Sequence, residues 1–162
     1  MITLAGTMAL VRGLGVFGPE LWLEPWRDKT NALTRFPLDP ATGSPRFLQF
    51  IANDAPAFST TVYCSDAFAG EITPAFAHQF TLYYDENANP RGDVEARKRD
   101  HAAIGDGRVG VAETLRLLDR YGVRYIATTA DDMSAHAKFR KYASEFPVVY
   151  QDMITRVCRR AW

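Results

Sequence analysis

Three side chains near the middle of the chain are suited to bind a small ligand. Asp66 directly follows a strand-like run, and His78 and Gln79 follow an aromatic-rich segment. A carboxylate can accept hydrogen bonds from sugar hydroxyls, whereas an imidazole and an amide can donate them. These residues therefore define a candidate site for a hydroxyl-rich ligand. A structural interpretation stays open, in which Asp66 caps a turn and the neighbouring aromatic residues belong to the core.

A group of basic residues further along the chain provides a second candidate binding feature. Arg97 and Arg99 flank Lys98 and follow Arg91. Guanidinium groups bind phosphate and carboxylate groups in a bidentate manner, so Arg97 and Arg99 could contact a phosphate or an acidic glycan. Acidic residues interleave with these cations between Asp85 and Asp100. That pattern is also typical of a solvated loop that enters an exposed helix.

The sequence contains no motif for catalysis or cofactor binding. It lacks a phosphate-binding loop, a nucleophile elbow, a zinc-protease helix and a dinucleotide fingerprint that follows a strand. The histidines are too widely spaced for a local metal motif. We therefore predict no catalytic residue, no metal and no cofactor. Cys64 and Cys158 lie in separate apolar runs and are expected to be buried thiols on strands, or a disulfide if the compartment is oxidising.

Composition is that of a folded domain with no preference for nucleic acid. The chain has 162 residues, of which 47% are hydrophobic and 23% charged, well away from the composition of disordered proteins. Nineteen basic residues balance nineteen acidic ones. Because the net charge is zero, no global field attracts nucleic acid, and we predict no nucleic-acid partner.

Hydrophobic periodicity predicts the elements that must position these side chains. Helices alternate with strands, which indicates an α/β fold: a small three-layer-like sheet flanked by helices, with a C-terminal antiparallel β-hairpin. Residues 67–84 contain Gly70 and Pro74 and are expected to form loops and short irregular elements. The central strand at 60–64 is expected to open at its carboxyl end onto a crevice, with Asp66 at the rim. The remaining predictions are a helix at 45–53 with Ser44 as its N-cap, helices at 109–121 and 134–145, a strand at 123–128 and hairpin strands at 147–150 and 154–158.

The N-terminal third divides into two segments. Residues 1–24 form an apolar segment, which is either packed in the core or the stub of a membrane helix. Residues 25–44 are rich in proline and form a connector, so that the α/β domain spans residues 45–162.

The order of motifs in the domain resembles one family. The segments "LLDRYGVRYIATT" and "FPVVYQDMITRV" carry the most specific part of the likeness, and "SPRFLQFIANDAP" with "STTVYCSD" precede them. This order resembles the C-terminal domain of bacterial multi-spanning GT-C glycosyltransferases of the protein-mannosyltransferase-like group. In that family catalysis belongs to acidic residues among the membrane helices, and nothing here matches them.

The resemblance implies a function without catalysis. It implies an extracytoplasmic accessory domain at the cell membrane, partnered with the membrane part of a glycosyltransferase that uses a lipid-linked sugar. Such a domain could help to bind a polyprenyl-phosphate sugar or a glycan acceptor. The alternative is a free-standing α/β enzyme or a small-ligand binding protein, with Asp66, His78 and the cations of 97–99 around a crevice.

Overall fold

The structure is a computed structural model that describes residues 33–83 and 94–160. The predictions for residues 1–24 and for residues 25–32 of the connector lie outside this range, as does Arg91. The compact unit described here begins at Arg35. Within the described ranges, no helix combines the length and the hydropathy that crossing a bilayer requires.

The described part of the chain contains five helices and five strands. The helices are α1 (Arg46–Asp54), α2 (Ala67–Phe76), α3 (Val94–Gly105), α4 (Val111–Arg120) and α5 (Met133–Lys141). The strands are β1 (Thr61–Cys64), β2 (Phe80–Thr81), β3 (Val123–Thr129), β4 (Val148–Gln151) and β5 (Thr155–Arg159). Gly122 adopts a φ of 61° after α4, the left-handed conformation that glycine supplies at a helix end.

The five strands form one mixed sheet in the order β2-β1-β3-β5-β4. Strand β1 is parallel to both β2 and β3, whereas β5 is antiparallel to β3 and to β4. The α/β class, the interior position of β1 and the C-terminal hairpin are therefore confirmed. The parallel core matters for function, because it brings the carboxyl ends of β1 and β3 to the same edge of the sheet.

Helices cover both faces of the sheet and divide the core in two. Phe47 and Ile51 of α1 pack with Val62 and Tyr125 on one face, where α2 contributes Ala69. The other face is covered by α3, α4 and α5, whose buried residues are Ile104, Leu117, Leu118, Ala135 and Phe139. The two layers bury the sheet on both sides, which explains the nearly continuous apolar sequences of β1 and β3.

The two cysteines are buried free thiols, as expected for the first of the two interpretations. Cys64 belongs to the core on the α1–α2 face, and Cys158 belongs to the core on the opposite face. A disulfide would have to pass through the sheet, so the fold excludes this pair. Burial raises the pKa of the Cys64 thiol to about 12 and that of Cys158 to about 11.

Two sequence-based expectations are corrected. Residues 67–84 are not mainly loop, because 67–76 form the regular helix α2. Pro74 lies in the last turn of that helix, where its missing N–H removes only one late helical bond. Ser44 does not cap α1; Pro45 occupies the N-cap position, with no side-chain cap.

Candidate functional site

Three of the predicted site residues, Asp66, His78 and Gln79, lie at two opposite edges of the parallel part of the sheet. Asp66 follows β1, and Asp131 follows the parallel strand β3, at what we call the carboxyl edge. Phe58 precedes β1, and His78 precedes the parallel strand β2, at what we call the amino edge. The fold therefore separates Asp66 from His78 and Gln79.

The carboxyl edge is polar, and its carboxylates already have partners within the protein. Asp66 caps α2 by accepting a hydrogen bond of 2.8 Å from the backbone N–H of Ala69. Arg35 bridges the two strand ends: its Nη2 atom is 3.4 Å from Asp66 Oδ2 and 3.1 Å from Asp131 Oδ2. Asp132 caps α5 through the backbone N–H of Ala135 at 3.0 Å. The carboxylates of this edge are therefore all paired with groups of the protein itself.

A partly buried histidine lies beneath the carboxyl edge. The Nε2 atom of His101 lies 2.7 Å from the carbonyl oxygen of Cys64, the last residue of β1. Its ring packs between Tyr63 and Tyr83, with centroid distances of 4.6 and 5.6 Å. Burial lowers the pKa of His101 from its ordinary value. Across the described residues, no group of three or more histidine, cysteine or acidic side chains is arranged to hold a metal ion.

The two predicted arginines lie on α3. The Arg97 guanidinium lies over the ring of Tyr121, 5.4 Å from its centroid, and Nη1 is 3.5 Å from the carbonyl oxygen of Leu82. Arg99 is largely exposed and lies 3.6 Å from the buried carboxylate of Asp100. Asp100 also accepts hydrogen bonds from Arg120 at 2.9 Å and from Tyr121 at 2.8 Å. These contacts fasten α3 to α4, and binding of an anion by Arg97 or Arg99 stays a prediction.

The amino edge carries an exposed group of rings, which we call the aromatic patch: Phe58, His78 and Phe80. The side chains of Phe58 and Phe80 are 54% and 55% exposed, which is unusual for phenylalanine. Their ring centroids are 5.6 Å apart at an interplanar angle of 53°, and the Phe58 and His78 rings are 6.5 Å apart. The patch therefore presents a nearly continuous apolar surface beside the edge strand β2.

The backbone beneath the aromatic patch is strained. Phe58 and His78 have φ values of 53° and 52°, in the left-handed region that favours glycine. The two residues are joined by a hydrogen bond of 2.6 Å from the N–H of Phe58 to the carbonyl oxygen of His78. Each such conformation costs roughly 1–3 kcal/mol in a residue other than glycine and persists where the surroundings enforce it.

Gln79 is the residue that enforces this conformation. Its side chain is fully buried, and Oε1 accepts hydrogen bonds from the N–H groups of Ser59 and Thr60, at 3.2 and 3.1 Å. Its Nε2 atom donates to the carbonyl oxygen of Pro56 at 2.8 Å. The amide thus ties the loop before β1 to the start of β2. Gln79 positions the aromatic patch from below and is itself covered from solvent.

The amino edge brings the predicted residues His78 and Gln79 together with Phe58 and Phe80, which the sequence did not indicate as a pair. His78 and Gln79 lie together, whereas Asp66, Arg97 and Arg99 lie elsewhere. Phe58 was missed, because Asp54-Ala-Pro56 indicates only the end of a helix. The available signal was an aromatic residue in a turn of small residues and proline, where no core position is expected.

Comparisons with known proteins identify the fold. No protein-family model and no curated protein sequence matches the chain. Among solved structures, it resembles the crystal structure of the C-terminal globular domain of an oligosaccharyltransferase from Archaeoglobus fulgidus. The TM-score is 0.54 at 11% sequence identity, and the match covers 72% of this chain and 95% of that chain. The chain therefore shares its fold with nearly the whole of that globular domain.

Proposed function

We propose that this chain is a non-catalytic accessory domain of a membrane glycosyltransferase that uses a lipid-linked sugar. The carrying observation is the shared fold, which extends over 95% of the oligosaccharyltransferase domain. A match to an entire domain supports a common module more strongly than a match to one supersecondary motif would. The motif order that resembles the protein-mannosyltransferase-like group is a second, independent support.

The chemistry of the described residues agrees with a role that lacks catalysis. At the carboxyl edge, where ligand sites of α/β sheets form, Asp66 is engaged in a helix cap and in an ion pair with Arg35. The partly buried His101 is hydrogen-bonded to a backbone carbonyl group. A catalytic acid or base must instead reach a substrate proton. The proposed contribution of this domain is to cover the membrane part and to help to hold a substrate there.

The test is a transfer assay in membranes from the cells that make this protein. Membranes from cells that lack residues 35–160 are compared with wild-type membranes for transfer of radiolabelled sugar from a polyprenyl-phosphate donor. We expect transfer to fall and to recover when the intact chain is restored. Unchanged transfer, with loss of the domain verified by immunoblot, would contradict the proposal.

The extracytoplasmic location is proposed as well, and a single cysteine can test it. Met153 lies in the turn between β4 and β5 and is 88% exposed, so Met153→Cys presents an accessible thiol. The native thiols provide little background, because both are buried and have raised pKa values. A membrane-impermeant maleimide should label Met153→Cys in intact cells with a permeable outer layer. Labelling that requires lysis of the inner membrane would place the domain on the cytoplasmic side.

A further inference from the structure

We propose that the aromatic patch, Phe58, His78 and Phe80, is a binding platform for a neutral sugar ring of a glycan. The proposal rests on the proposed function for its substrate class and adds the site. Its observations are the exposure of the rings, the strained backbone below them and the absence of charge in the segments that carry them.

The exposure and the strain point to the same place. Two phenylalanine side chains are more than half exposed on one small surface, next to two residues with positive φ. Glycine at Phe58 or His78 would remove the strain, and a polar residue would remove the exposed apolar area. The sequence has neither, so the patch carries two stability costs at a single site. Such coincidence is typical of a functional surface.

The backbone beneath the patch is held by hydrogen bonds in the absence of a ligand. A hydrogen bond of 2.6 Å joins the N–H of Phe58 to the carbonyl oxygen of His78, and the Gln79 amide bonds to the backbone on both sides of Phe58. The buried Leu82 continues the chain from β2 into the core. Because the backbone that carries the rings is already held in place, a ligand loses little affinity to the ordering of the loop.

The chemistry of the patch favours a neutral ligand with one apolar face. Neither residues 55–65 nor residues 72–83 contain an aspartate, glutamate, lysine or arginine. A phosphate or a nucleic acid would require cations at this surface. The axial C–H groups of a pyranose ring carry partial positive charge and stack on the negative face of an aromatic ring. The imidazole of His78 and the hydroxyl of Ser59 are nearby hydrogen-bonding groups for the rim of such a ring.

The experiment is a titration of the full chain with mannotriose, maltotriose and chitotriose, which are free of phosphate. Amide and aromatic shifts are followed by NMR. We expect at least one sugar to shift the signals of Phe58, His78 and Phe80, and Phe58→Ala and Phe80→Ala each to weaken binding about tenfold or more. Phe80→Tyr keeps the ring and should keep the affinity. Met153→Ala removes an exposed apolar side chain elsewhere and should leave the affinity unchanged.

Two results would overturn the proposal. One is the absence of shifts at the patch with all three sugars in a folded protein. The other is sugar binding that survives Phe58→Ala and Phe80→Ala together. If those variants instead weaken association with a membrane protein while no sugar binds, the patch is a protein-docking surface and the sugar assignment is wrong. Because the titration requires no transferase, its outcome is independent of the membrane transfer assay.

Discussion

The carboxyl edge and the amino edge of the sheet differ in whether their functional groups have partners within the protein. At the carboxyl edge, Arg35 lies between Asp66 and Asp131, and the carboxylates of Asp66 and Asp132 cap helices. At the amino edge, Phe58 and Phe80 are left half exposed above a strained loop. The charged groups of the carboxyl edge are paired within the protein, whereas the phenylalanine rings of the amino edge stay half exposed.

This difference reverses the usual expectation for an α/β sheet. Ligands of such sheets normally bind beyond the carboxyl ends of the strands, and the sequence-based prediction for Asp66 followed that rule. In this protein the exposed apolar surface, the aromatic patch, lies at the amino edge instead. The proposed site at the aromatic patch follows the state of the individual groups rather than this location rule, and ligand binding at Asp66 stays a prediction.

The largest effect is expected for Gln79→Ala at the amino edge. The substitution leaves the buried N–H group of Thr60 without its acceptor and removes one hydrogen bond each from the N–H of Ser59 and the carbonyl oxygen of Pro56. We expect the free energy of unfolding to fall by roughly 2–4 kcal/mol in denaturant titrations. Gln49→Ala is the control, because Gln49 makes only an exposed helical bond to Asn53. Equal losses in the two variants would remove the structural role of Gln79.

Asp66→Ala tests how much the contacts at the carboxyl edge contribute to the free energy of unfolding. The variant loses the cap of α2 and one partner of Arg35, and we expect a loss of about 1–2 kcal/mol by chemical denaturation. Asp131→Ala should cost less than about 1 kcal/mol, because Asp131 contributes only an exposed ion pair. A cost for Asp131→Ala that matches that of Asp66→Ala would show that the ion pair, rather than the cap, stabilises this edge.

The carboxyl edge should also make stability depend on pH. Partial burial lowers the pKa of His101, so the unfolded chain binds protons more readily than the folded chain below about pH 6.5. Stability should therefore fall as the pH decreases from about 7 to about 5. His101→Gln removes the titrating group and should flatten this part of the profile. An unchanged acid profile in thermal melts would exclude His101 as a source; the lowered pKa of His136 acts in the same direction.

The smallest effect is expected where strain is removed. His78→Gly relieves a φ of 52° at an exposed position. We expect the free energy of unfolding to rise by about 0.5–1 kcal/mol, since the relief exceeds the entropy cost of glycine. Ser59→Gly, at an exposed neighbour outside the positive-φ pair, should not stabilise the protein. Destabilisation by His78→Gly would mean that the imidazole contributes contacts worth more than the strain.

Local patterns predicted most of the fold. Each signal spans only a few neighbouring residues: the apolar runs of β1 and β3, the amphipathic pattern of α4 and the glycine that follows α4. Helix α2 was missed because Gly70 and Pro74 indicate breaks when read alone. In the structure Gly70 is buried and Pro74 lies in the last turn, where neither ends the helix.

The site was predictable only in part, because its geometry depends on distant residues. His78 and Gln79 were identified by residue type. The strained pair at Phe58 and His78 and the bonds of Gln79 join segments twenty residues apart in sequence. The pairing of Arg35 with Asp131 spans 96 positions. Periodicity and spacing report on neighbours along the chain, so they contain no information about these contacts.

The central claim, that this domain belongs to a working glycosyltransferase, is tested most directly by purification. An affinity-tagged form of the chain is isolated from detergent-solubilised membranes of the cells that make it, and the eluate is assayed for transfer of sugar from a polyprenyl-phosphate donor. We predict transfer activity that follows the tagged chain and is absent from an untagged control. An eluate that contains the folded chain at full yield but no transfer activity, beside an active starting membrane, would contradict the account.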